Sequence, residues 1–82
     1  MAKYNYEATR IGEGRILDLY RKDESGKCEE FFVDDGWKET HDAYKAFRGD
    51  IFTFSVSEEL ALDAIELWEE NFRKNYGGKN EG

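Results

Sequence analysis

From Tyr4 to Thr9 larger or apolar residues alternate with polar ones, Tyr4, Tyr6 and Ala8 being separated by Asn5 and Glu7. A period of two is the mark of a strand with one face buried. Arg15 to Arg21 carries the same period, with Leu17 and Leu19 on one side and Ile16, Asp18 and Tyr20 on the other. Lys27 to Val33 reads as a third strand, dense in Phe31, Phe32 and Val33. Asp23-Glu24-Ser25-Gly26 lies before it and Asp34-Asp35-Gly36 after it, both rich in residues that favour turns. Short strands at regular spacing, separated by glycine turns, predict an antiparallel meander.

The period changes in "WKETHDAYKAFRG", where Trp37, Ala43, Tyr44 and Phe47 fall at helical spacing. Thr40 is placed to cap the start of a short helix near 40–48, and Gly49 to end it. In "IFTFSVS", Phe52, Phe54 and Val56 alternate and predict a fourth strand. The last segment is the most regular. Ser57 can cap, Glu58 and Glu59 sit where the helix dipole favours carboxylates, and Ala61, Ala64, Ile65, Trp68 and Phe72 recur at steps of three and four. Leu60 and Leu67 widen that stripe, Arg73 and Lys74 follow in the last turn, and Gly77 can end a helix running from Glu58 to Tyr76. The expected fold is α+β: an antiparallel sheet of three or four strands with the long C-terminal helix packed on one face. Leu17, Leu19, Phe31, Val33, Phe54, Val56, Ile65, Trp68 and Phe72 are the expected core.

Composition narrows the picture. Eighty-two residues make a single domain, 1–82, with frayed ends at 1–3 and 77–82. A chain of this length buries only about 60% of its unfolded surface, and thirteen aromatic residues (Trp 2, Tyr 5, Phe 6) suit so thin a core. A formal charge of −7 repels nucleic acid and anionic membranes, so neither is expected as a direct partner, whereas a basic protein surface is compatible. A lone cysteine, Cys28, excludes an internal disulfide framework. With no apolar leader and no membrane-length apolar run, the expected location is the cytoplasm.

"IGEGRILDLYR", residues 11 to 21, has the outline of a phosphate-covering glycine loop. The position for a third glycine is Leu17, and the lysine and aspartates that complete a kinase have no room in the chain. Gly12-Glu13-Gly14 therefore reads as a hairpin turn. Asp23 to Glu29 echoes a calcium loop but lacks its set ligand positions. His41 and Cys28 are each single, too few for zinc or for a thiol–imidazole pair with a third orienting group. The carboxylate pairs Glu29-Glu30, Asp34-Asp35, Glu58-Glu59 and Glu69-Glu70 are sequence neighbours, which on a strand point to opposite faces. No cofactor, metal or catalytic residue is expected.

What remains is surface. Trp37, bracketed by Asp34, Asp35, Glu39 and Asp42, either caps the open edge of the core or anchors a partner. If one helix covers the sheet, the other face carries Tyr20 and Phe32, with Tyr4 or Tyr6, and such a face suits a homodimer or a protein partner. Tyr20-Arg21, Asp35-Gly36-Trp37, the Ala43-to-Asp50 step with Phe47 and Gly49, and Ser57-Glu58-Glu59 together resemble a group of short uncharacterised bacterial proteins, which implies no activity. The ending "FRKNYGGK" is similar to the close of WGR-type domains, whose W-G-R core is absent here. The expected function is a small acidic protein-interaction module without catalysis. The alternatives are an acidic inhibitor or nucleic-acid mimic that blocks a basic protein surface, and a small metal-binding or enzymatic domain.

Overall fold

The computed structural model describes residues 3–11 and 15–74. Strands β1 (Asn5–Ile11), β2 (Arg15–Lys22), β3 (Cys28–Phe32) and β4 (Gly36–Glu39) precede helix α1 (His41–Arg48); strand β5 (Phe54–Val56) and helix α2 (Glu58–Phe72) follow. The strands form one antiparallel sheet in the order β4-β3-β2-β1-β5. The first three are the expected meander, which β4 extends by a strand the sequence did not announce. The chain then leaves one edge, crosses a face as α1, adds β5 beside β1 at the opposite edge, and returns over the other face as α2.

The α+β reading holds, with one more strand than the sequence implied. Trp37 belongs to β4 and not to the helix that follows. Gly36 at φ 83° turns the chain out of Asp34-Asp35, and Trp37 then pairs with Phe31 across the ladder. Gly12-Glu13-Gly14, Tyr76 and the 77–82 tail lie outside the described residues. The strands flanking the first of these pair antiparallel, with Ile11 opposite Arg15.

The β1–β2 register explains one misplaced core residue. Ala8 sits opposite Leu19 but Arg10 sits opposite Ile16, so three residues of β2 advance against two of β1. The extra residue is a bulge, and it reverses the alternation beyond it. Ile16 therefore packs with the core and Leu17, expected inside, is 56% exposed. Thr9 holds the irregularity together: its hydroxyl accepts from the Asp18 N–H at 3.0 Å and donates to the Asp18 carboxylate at 3.1 Å.

Each face of the sheet has its own core. On one, Tyr6, Ala8, Leu19 and Val56 close around Ala61 of α2, with Phe31, Phe54, Ile65 and Trp68 packed against them. Of the other expected core residues, Val33 is half-buried and Phe72 exposed. On the opposite face, Tyr20 and Cys28 meet Ala43 and Ala46 of α1, flanked by Tyr44 and Phe47. The face expected to be open is thus covered where Tyr20 stands. Thr40 caps α1, accepting from the Ala43 N–H at 3.0 Å, and Gly49 ends it at φ 94°, as its position in the sequence implied. Ser57 does the same for α2 through the Leu60 N–H at 3.1 Å.

Candidate interaction surface

The five residues singled out for interaction do not form one surface. Tyr20 is 3% exposed beneath α1, and burial among Asp18, Glu30 and Asp42 pushes its phenol well above the usual tyrosine range. Phe32, two residues beyond Glu30 on β3, is half-buried on the same side. A homodimer through an uncovered face that includes Tyr20 therefore loses its structural basis. Asp34 and Asp35 are exposed in the β3–β4 turn, where Asp35 pairs with Lys38 at 3.3 Å.

Trp37 is engaged from within, on the α2 side of the sheet. Its ring meets Phe31 edge-on at 5.3 Å and Tyr6 at 6.2 Å. The Arg21 guanidinium lies between two rings, 4.2 Å from that of Trp37 and 4.1 Å from that of Tyr4. Glu29, opposite Arg21 in the ladder, accepts from its Nε at 2.8 Å. The cation is held by aromatic faces and a carboxylate at once, each contact worth about 0.5–2 kcal/mol where water is partly excluded. Trp37 thus closes the edge of the core, with the Arg21 guanidinium over its ring and Phe31 and Tyr6 beside it.

The remaining candidate chemistry resolves into structure. Asp23 accepts from the Ser25 hydroxyl, the Ser25 N–H and the Lys27 N–H, so its carboxylate serves its own turn and its pKa is held down by those bonds. Glu29 and Glu30 face opposite sides, Glu29 on Arg21 and Glu30 on the Thr40 hydroxyl at 3.2 Å. Burial lifts Glu30 above the usual carboxylate range. Cys28 is buried with its thiol pushed up by the same cause, while His41 is exposed at the start of α1. Among the described residues no group of three or more His, Cys, Asp or Glu is placed to hold a metal ion.

The most distinctive surface is the outer side of α2. Residues 58–72 carry six carboxylates and no cation, a charge of −6 against −7 for the whole chain. The other residues hold thirteen acids and twelve bases and are nearly neutral. Successive helical residues are about 100° apart, so Glu59, Asp63, Glu66 and Glu70, at steps of four, three and four, share one outward stripe. Leu60, Leu62 and Leu67 flank it at 48%, 52% and 55% exposure. Asp63, Glu66, Leu67, Glu70 and Arg73 line a shallow depression on this side.

The sequence placed Leu60 and Leu67 in the buried stripe, and the structure does not. Each precedes an inward residue, Ala61 or Trp68, and is turned about 100° from it. The stripe that meets the sheet is narrow here, Ala61, Ile65 and Trp68 falling at steps of four and three. Ala61 is the only fully buried residue of α2, and Leu60 and Leu67 lie outside the stripe it shares with Ile65 and Trp68. The concentration of charge in 58–72 was countable in the sequence; the exposure of the leucines was not, because it depends on how the helix is seated.

Comparison of the chain with family models, with curated proteins and with solved structures returns no match.

Proposed function

We propose that this protein is a small non-catalytic interaction module that presents α2 to a basic protein surface in the cytoplasm. The observation that carries the reading is the segregation of charge: six carboxylates on one helix, interspersed with half-exposed leucines, on an otherwise nearly neutral domain. Opposed fields speed encounter with a cationic partner, and the apolar contacts hold the complex once formed. No helix among the described residues is long and apolar enough to cross a membrane.

A second reading, a nucleic-acid mimic, draws on the same stripe. Glu59, Asp63, Glu66 and Glu70 advance by about 4.5–6 Å per step along the axis, against about 3.4 Å per phosphate along one DNA strand. The leucines beside them have no counterpart in a phosphate backbone and favour the first reading.

Photo-crosslinking in cells separates α2 from the rest of the molecule. A photoreactive residue at Leu67 should yield a discrete adduct whose crosslinked peptide is basic, and the same probe at Lys27, in the exposed β2–β3 turn, should not. Equal adducts from both positions, or an acidic crosslinked peptide from Leu67, would overturn the reading.

A further inference from the structure

Leu60, Ala64, Leu67 and Asn71 follow one another at steps of four, three and four, the spacing of a coiled-coil seam. This seam lies beside the stripe Ala61, Ile65 and Trp68 that α2 seats on the sheet. Leu60 and Leu67 are half-exposed, and Ala64 between them is small enough to let another backbone approach. On the seam's outer flank stand Asp63 and Glu70, seven residues apart, the positions that meet a partner's charges when two helices pack in this way. The opposite flank is Ala61 and Trp68, already committed to the domain.

From this arrangement, and resting on the interaction reading above, we infer that the seam is a docking site for one cationic amphipathic helix of a partner protein. The partner helix lays an apolar stripe on Leu60, Ala64 and Leu67 and sets lysine or arginine against Asp63 and Glu70. The charge on α2 decides among occupants. A second copy packed antiparallel would bring Asp63 and Glu70 against their own counterparts, like charge against like, and a parallel copy would need the flank that the sheet occupies. A flexible polycation without an apolar stripe would satisfy the carboxylates and leave both leucines in water.

The probe is a synthetic leucine–lysine peptide with its leucines on one helical face, titrated calorimetrically beside a scrambled peptide of the same composition. The amphipathic peptide should bind at least about tenfold more tightly than the scrambled one, since only it can cover the seam. Leu60→Ser with Leu67→Ser should weaken it by about tenfold or more at an unchanged unfolding midpoint. Leu62→Ser, on the far flank of the acidic stripe, should leave it unchanged. Equal binding of the two peptides would overturn the inference in favour of simple charge attraction. So would a Leu62→Ser loss matching that of the double variant, or a dimer by light scattering that the double variant abolishes. A basic crosslinked peptide at Leu67 that is not helical in the complex would sink this inference and leave the interaction reading standing.

Discussion

α1 spends both of its small residues on the sheet: Ala43 and Ala46 are buried against Tyr20 and Cys28, while Tyr44 and Phe47 fold over the rim. α2 has nearly twice the length and buries only Ala61 fully. The charge differs as much as the packing. α1 mixes Asp42 with Lys45 and Arg48, whereas α2 carries carboxylates alone. One helix is consumed in closing its face of the sheet. The other meets the sheet along a narrow stripe and turns the rest of its circumference outward. In a domain with so little core, these exposed leucines beside a run of carboxylates are the feature on which the proposed interaction rests.

Substitutions test the contrast, the largest effect coming from the core beneath α2. Among the described residues Leu19 is the one large side chain with no exposure, and Leu19→Ala should cost about 2–5 kcal/mol through lost burial and the cavity left behind. Chemical denaturation measures it, and a loss below about 1 kcal/mol would contradict the close packing of Leu19 beneath α2.

The caps come next. Thr40→Ala removes the α1 cap and also the hydroxyl that Glu30 accepts from, so it should cost about 1–2 kcal/mol. Ser57→Ala at the exposed start of α2 should cost less, about 0.5–1 kcal/mol. The reverse order in thermal unfolding would contradict the claim that α1 is the more deeply integrated helix.

A smaller, pH-dependent effect follows at Glu30. Its folded pKa is raised by burial, with Asp18 and Asp42 adding to the rise and the Thr40 hydroxyl opposing it. A carboxyl shifted upward contributes stability below its unfolded pKa and loses that contribution as pH rises through the folded value. Glu30→Gln should therefore be more stable than the parent at about pH 7, with the gain vanishing near pH 4 or below. A gain that grows with acidity would have the wrong sign. The smallest effect belongs to α2: Leu67→Ser should change stability by no more than about 0.5 kcal/mol, the range of an ordinary surface position.

Local chemistry was legible in the sequence wherever it needed only near neighbours. Thr40, Gly49 and Ser57 act as caps, and Asp23 to Gly26 makes its turn, because each of these depends on bonds within a few residues. The features that were not legible depend on distant pairing. The bulge opposite Thr9 inverts Ile16 and Leu17, and no local signal near "RILDLY" announces it. β4 is four residues long and is stabilised by pairing with β3, so Trp37 read equally well as helical. Tyr20 looked free for a partner because α1 had no assigned place, and its seat over β2 and β3 follows only from the crossover to β5. For the candidate surface, the carboxylates were visible and the seating of α2 was not.

If the proposal is right, α2 and not the Trp37 edge faces the partner. The most direct measurement is a backbone amide shift map of the isotope-labelled protein as the amphipathic leucine–lysine peptide is added. Shifts should concentrate in residues 58–72 and be strongest around Leu60, Ala64 and Leu67. Shifts centred on Asp34, Asp35 and Trp37, or spread evenly over both helices, would contradict it.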